Sequence, residues 1–242
     1  MQGEMTLTHA LLTEFIENFF GFGDPNAKYW FIGMEEGGGN SSEEFEKRVS
    51  AWDQMGKNTL VDVKEYHELI GINRFFEEPV KLQSTWNKLI RIYLTANGYS
   101  HGTDDVRVFQ KEQLGRTGKD TALLELLPLS SPNINVWLYP NWTNLPLLWS
   151  RESYRSKVLP LCVKSLRKLI DEYKPKVVVF YGQTNEEYWR MVIGSPFRPY
   201  DLLDLKYAKT SETVFVSIKH PVYTGLTNDY FHRIGCWIQS QI

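Results

Sequence analysis

Residues 28–39 read KYWFIGMEEGGG, an apolar run that ends in two adjacent carboxylates, Glu35 and Glu36, followed by Gly37, Gly38 and Gly39. Carboxylates at a strand end can stabilise developing positive charge or orient a water molecule. Three glycines leave room beside those acids and expose backbone N–H groups able to meet an anion or hydroxyls, or they form a flexible turn. Near the other end of the chain, KHPVYTG (219–225) brings His220 to the end of a second apolar run, where an imidazole can donate a hydrogen bond. Between them, TALLELLPL (121–129) carries Glu125 inside an apolar stretch. Unpaired and inward-facing it would cost several kcal/mol, so it is paired, at the strand mouth or on a solvated face.

The elements that must position these groups alternate. THALLTEFIENFF (8–20), with Thr8 as cap, and KLQSTWNKLIRIYLTA (81–96) have helical apolar stripes, as do KVLPLCVKSLRKLIDEY (157–173) and TNDYFHRIGCWIQSQI (227–242). TNEEYWRMVIG (184–194) opens with a capping box from Thr184 to Glu187. KYWFIGM, TALLELLPL (stopped by Pro128), KVVVFYG (176–182) and ETVFVSIKHP (212–221) read as buried strands. Residues 40–80 are polar and acidic, with loop signals and one short helix around SSEEFEKRVSAW. This alternation predicts an α/β protein, a three-layer α/β/α arrangement around a central four-stranded parallel sheet. Ligands of such sheets sit outside the carboxyl ends of the strands. That rule selects Glu35 and Glu36, the stretch from Glu125 to Asn135, Tyr181 to Gln183, and Lys219 to Tyr223.

At 242 residues, 42% hydrophobic and 23% charged, the chain reads as one α/β domain over 1–242 with an insertion at about 40–120. No secretory signal or membrane-length apolar run is present, and the two cysteines make no disulfide framework or zinc site. The expectation is a cytoplasmic protein with no metal, no cofactor and no obligate protein partner. His67, His101 and His232 lack metal-ligand spacing and read as structural. The absence of GxGxxG or GxxxxGK[ST] patterns argues against a nucleotide phosphate on the glycines, and the two acids would repel one. Charge is uneven: residues 1–80 hold 6 Lys/Arg against 15 Asp/Glu, so a net charge of −2 leaves +7 for the remainder. Residues 151–176 alone carry 8 basic and 3 acidic residues, either a solvated helix surface or a face for a phosphate backbone.

Taken together, GMEEGGG (33–39) after the first strand, KHPVYTG after the last and RIGCW (233–237) in the helix behind it make the chain resemble the uracil-DNA glycosylase superfamily. It departs from that family's pattern in having Glu36 in place of proline, Val222 in place of a small serine, and Glu125 in place of the base-reading asparagine. The resemblance implies a base-flipping DNA glycosylase that hydrolyses an N-glycosidic bond and leaves an abasic site, acting in repair or in defence against phages. Glu35 or Glu36 would face the sugar and His220 the departing base. Gly37, Gly38 and Gly39 stand where uracil-specific members crowd the pyrimidine 5-position, so they imply room for a bulky 5-substituent. An ionised Glu125 would accept from the amine of a cytosine. Together these imply a modified cytosine rather than plain uracil.

By the same resemblance Phe45, or Trp52, is expected as the stacking aromatic, with Asn133 also in the base pocket. Tyr223 or Leu226 is expected to fill the gap left in the duplex, and Lys219 and Gln183 to contact DNA. The alternative is a non-catalytic relative of the same fold that binds nucleic acid or a nucleobase.

Overall fold

In the computed structural model, residues 7–242 are described. The chain runs through α1 (His9–Asn18), β1 (Gly21–Phe22), β2 (Tyr29–Gly37), α2 (Ser42–Gln54), β3 (Leu60–Val61), α3 (Val63–Leu69), α4 (Ser84–Ala96) and α5 (Thr103–Glu112). It continues with β4 (Thr121–Ser131), α6 (Arg151–Tyr173), β5 (Val177–Tyr181), α7 (Glu186–Ile193), β6 (Arg198–Tyr200), β7 (Leu205–Lys209), β8 (Val214–Ile218) and α8 (Asn228–Gln239). The protein is an α/β structure with helices on both sides of a mixed sheet of order β3-β1-β4-β2-β5-β8-β7-β6.

All four expected strands form, as β2, β4, β5 and β8, and they are mutually parallel neighbours at the centre. The side chains of β4, β5 and β8 are buried along almost their whole length and those of β2 from Tyr29 to Gly33, as continuous apolar runs require when both faces are covered. The expected four-stranded parallel sheet is nonetheless too small. β1 lies antiparallel to β4, and the pairs β7–β8 and β6–β7 are also antiparallel, giving eight strands in all. β1 and β3 are two residues each, too short to carry a period, and β6 is largely exposed at the sheet edge.

Two local expectations also fail. β4 does not stop at Pro128; it continues to Ser131, and between Glu35 and Gly37 the β2 register against it shifts from Leu127 to Ser131. A bulge is where a strand tolerates a residue with no N–H. The Thr184 capping box does not form, because α7 begins only at Glu186, behind a short 3-10 turn.

The 40–120 insertion is more helical than its composition implies. Ser41 caps α2 by accepting from Glu44 N–H, and Asp62 caps α3 by accepting from Lys64 and Glu65 N–H. α2 buries Phe45, Val49 and Trp52, α3 buries Val63 and Tyr66, and both join the cluster that contains β2 and β4. One polar wall of the molecule is therefore built by helices packed onto the sheet, and the cleft described next lies between them and the strand ends.

Candidate functional site

A cleft of about 820 Å³ opens where β2, β4 and β5 end, and the turn after β8, α2, α3 and residues 72–86 complete its wall. It brings together Glu35, Glu36, Glu125 and His220, which come from two strands, β2 and β4, and one turn. A somewhat larger hollow, about 950 Å³, lies toward the start of β2 beside Trp30, Asp62 and Tyr173. Asp62 there is already held by Arg116 and by the N–H groups of Lys64, Glu65 and Thr117. The smaller cleft, where several uncommitted polar groups converge, is the candidate site.

The two adjacent glutamates are held differently. Glu35 is saturated: Arg151 Nη1 donates to both its oxygens at 2.6 and 2.8 Å, and Ser131 Oγ donates to Oε1 at 3.1 Å. Arg151 also donates to Ser131 Oγ and to the Asn133 and Val136 carbonyls, and its guanidinium lies over Trp137. Glu36 meets Arg48 through Oε2, at 2.7 Å, and no described residue bonds its Oε1. Arg48 is 5% exposed and shared with Glu44, so this trio carries a surplus negative charge, whereas Glu35 and Arg151 balance one to one. Of the two, Glu36 keeps both a free oxygen and uncompensated charge.

The glycine turn is built around Glu44. Gly39 N–H donates to one of its oxygens, and the N–H and side-chain amide of Asn40 donate to the other, each at 3.0 Å. Burial by itself would raise the Glu44 pKa; those bonds and the Arg48 charge outweigh it and hold it at about 2. Gly38 donates to the Ser131 carbonyl. The N–H groups of Gly38 and Gly39 are thus engaged, which corrects the expectation that they await an anion. Their positive φ values, 125° and 68°, and the side chains of Arg48 and Ser130 against their Cα atoms make them turn and packing residues. Only Gly37 opens onto free space on the cleft, with nothing within 4 Å of where a Cβ would stand.

The floor is made by three strands. Glu125 on β4 is in register with Gly33 on β2, and Tyr181 on β5 donates to Glu125 Oε1 at 2.7 Å. A Cβ on Gly33 would overlap both Glu125 Oε2 and the Tyr181 hydroxyl, so the glycine is what lets the two side chains meet across β2. Glu125 Oε2 is sealed from solvent and has no hydrogen-bond partner among the described residues. Burial is the main force raising the carboxyl; the Tyr181 hydrogen bond opposes it, the charges of Glu36 and Glu35 add to it, and the result is about 8. Glu125 is therefore a neutral acid at pH 7, which corrects the expectation of an ionised, purely accepting carboxylate.

His220 is exposed by surface area, yet its ring lies edge-on against Tyr181, with 5.6 Å between centroids, and desolvation there lowers its pKa. Nδ1 accepts from Val222 N–H at 3.4 Å, so the neutral ring carries its proton on Nε2. His67 also lines the cleft. Its Nδ1–H donates to the Val63 carbonyl at 2.7 Å, and burial keeps it neutral.

Several expected residues lie elsewhere. Phe45 is 1% exposed and packs on Trp142, Tyr139 and Phe15, and Trp52 is equally buried; both are core. Aromatics that do reach the cleft include Phe22 and Tyr181 from the sheet and, 5.4 Å apart, Phe75 and Trp86 from parts of the insertion read as loop and helix. Gln183 uses its amide to tie the Asp204 and Ser217 carbonyls together. Lys219 is ion-paired with Asp204 and sits over the Tyr223 ring. Leu226 is partly buried against the core, while Tyr223 is 61% exposed beside the cleft turn and Asn133 lines the cleft. Sequence reasoning missed Arg48 and Arg151, whose partners lie 12 and 116 residues away, and it selected Tyr181 without its partner Glu125, 56 residues away.

Among the described residues, no group of three or more His, Cys, Asp or Glu is placed to hold a metal ion, and no helix is long and apolar enough to cross a membrane. The sequence matches no family model, and a search of curated proteins finds no similar one.

Proposed function

We propose that the protein is a DNA glycosylase of the uracil-DNA glycosylase superfamily that accepts an extruded, bulky 5-modified pyrimidine and hydrolyses its N-glycosidic bond. The observation that carries this reading is convergence. A carboxylate with a free oxygen (Glu36), a neutral imidazole with a free N–H (His220) and a hydrogen-bonding carboxyl on the floor (Glu125) share one cleft of about 820 Å³. That volume is within the range of small-molecule sites and leaves space for more than a bare base.

In this reading the base leaves the helix stack and enters with one edge toward Glu125. As the C1′–N bond lengthens, Glu36 offsets the positive charge growing on the sugar and orients the water that attacks C1′. His220 Nε2–H donates to the exocyclic oxygen of the departing base. Glu35, saturated by Arg151 and Ser131, braces the strand end that carries Glu36. The open space at Gly37 and the Phe75–Trp86 wall receive the 5-substituent. Ile134, Val222 and Tyr223, all strongly exposed, flank the opening as apolar wedges for the vacated duplex position. The basic face of α6, on which Arg155 pairs with the Tyr188 ring rather than with an acid, suits the phosphate backbone.

A non-catalytic binder is the second reading, favoured by the arginine partner that each strand-end glutamate already has. The test is to incubate the protein with duplexes containing uracil, cytosine, 5-methylcytosine, 5-hydroxymethylcytosine or a glycosylated 5-hydroxymethylcytosine, then cleave with alkali. Alkali-labile sites at one or more modified cytosines are expected. Cleavage confined to uracil removes the substrate assignment, and cleavage of none leaves the binder.

A further inference from the structure

His67 stands on the cleft wall, and the reaction as proposed makes no use of it. α3 carries it into a group of rings. Phe22 on β1 and Trp86 on α4 each lie 5.5 Å from it between centroids, and Phe75 lies 6.3 Å away. All four of these residues line the cleft. A ring that served only to fill this cluster would need no nitrogens. Here Nδ1 sits 2.7 Å from the Val63 carbonyl, which can only accept, so Nδ1 bears the hydrogen and Nε2 of the neutral ring bears a lone pair. No described residue bonds Nε2, and it is not one of the unpartnered polar atoms sealed from solvent. An acceptor walled by rings is poorly hydrated and gains most from a ligand that brings a donor. Burial holds the imidazole neutral, and the charges of Glu36 and Arg48 act on it in opposite senses, so the recess adjoins the carboxylate assigned to the sugar.

We propose that the recess lined by Phe22, His67, Phe75 and Trp86 receives the pyrimidine 5-substituent, and that His67 Nε2 accepts a hydrogen bond from a hydroxyl on it. His67 is then a specificity-determining residue for hydroxylated substituents. This rests on the glycosylase reading and deepens it by naming the substrate class.

The lone pair on Nε2 sorts the candidate groups. A hydroxymethyl group, or a sugar joined through it, brings an O–H donor. A methyl group brings none, and it leaves Nε2 unpartnered while displacing water. A formyl or carboxyl oxygen sets lone pair against lone pair. A carboxylate also meets the surplus negative charge that Glu36 and Glu44 keep around Arg48. The rings supply the apolar lining and the nitrogen supplies the orienting polar group, the usual division in a small-molecule pocket.

The experiment is single-turnover base release from duplexes carrying 5-methylcytosine, 5-formylcytosine, 5-hydroxymethylcytosine or its glucosylated form, for the wild type, H67F and H67Q. The wild type is expected to release a hydroxylated base about 10–10²-fold faster than the methyl and formyl ones. Either hydroxylated duplex in the lead supports the proposal, and which one leads tells whether the hydroxyl is on the pyrimidine's own substituent or on the sugar. Phe keeps the ring and removes the acceptor, so H67F is expected to bring that ratio close to one. Gln adds an N–H donor, so H67Q is expected to raise release of the formyl base relative to the hydroxymethyl one. A wild type that releases the methyl or formyl base as fast as both hydroxylated ones, or an H67F with the wild-type ratio, overturns the hydroxyl role and leaves the glycosylase reading standing. If H67F does not fold, H67Q decides: an unmoved formyl-to-hydroxymethyl ratio overturns the proposal. A wild type that releases no base from any duplex overturns the glycosylase reading, and the role of His67 falls with it.

Discussion

Two carboxylates in one cleft receive opposite treatment. At the rim, Glu44 accepts three hydrogen bonds from the glycine turn and faces Arg48, and it stays ionised down to about pH 2. On the floor, Glu125 has one hydroxyl donor, no cation and two neighbouring anions, and it stays protonated up to about pH 8. Both lose hydration on folding; what differs is the supply of donors and positive charge. A rim rich in arginine keeps its acids as anions that fix the backbone. A floor without a cation keeps an acid that can still give up a proton.

The largest expected consequence is a pH dependence of stability that separates the two regions. Glu125 binds its proton more tightly in the folded than in the unfolded chain. Its ionisation therefore weakens folding as pH rises from the ordinary carboxylate value to about 8, by a few kcal/mol in all, with no further change above that. Glu44 has the opposite sign: its contribution is fully present above the ordinary carboxylate pKa and is lost as pH falls through about 2. Urea denaturation across pH 2 to 10 is expected to show E125Q gaining on the wild type between pH 5 and 8, and E44Q losing the acid-side dependence. Parallel curves for wild type and E125Q over pH 5 to 8 would break the contrast.

Removing the rim cation is next in size. R48M strips the shared partner from Glu36 and Glu44 and is expected to cost about 3 kcal/mol, toward the lower end for a buried pair because both acids are about a quarter exposed. Denaturant midpoints measure it. The floor is perturbed by G33A, whose new methyl displaces the Glu125–Tyr181 pair; about 1–3 kcal/mol is expected in the same assay. The smallest effect belongs to K219A. Lys219 and Asp204 form an exposed surface pair, so the change should leave the denaturant midpoint at the wild-type value. Because that lysine is already paired, DNA affinity in a filter-binding titration should stay near the wild-type value.

The inner strands were legible because each is a continuous apolar run buried on both faces, and the strand-end rule then led to the acids and the imidazole of one cleft. The added strands were not, since Gly21–Phe22 and Leu60–Val61 are too short for any pattern and Arg198–Tyr200 is exposed. The glycines were half legible: their composition marks a turn, but that Gly38 packs on Arg48 depends on where α2 docks. Glu125 stood out as a conflict between charge and apolar surroundings. Its resolution by protonation follows from which side chains reach it across three strands, information that no local stretch contains. Phe45 was misplaced for a related reason, because an aromatic on an amphipathic helix goes to whichever face the tertiary packing buries.

The most direct measurement is the single-turnover rate of base release from a duplex carrying a modified cytosine, for the wild type beside E36Q, with DNA affinity determined for both. The expected result is release by the wild type, a fall of about 10²–10³-fold in E36Q, and equal affinity. Equal rates in the two proteins, or no release by either from any modified duplex, would contradict the assignment of Glu36 to the reacting sugar.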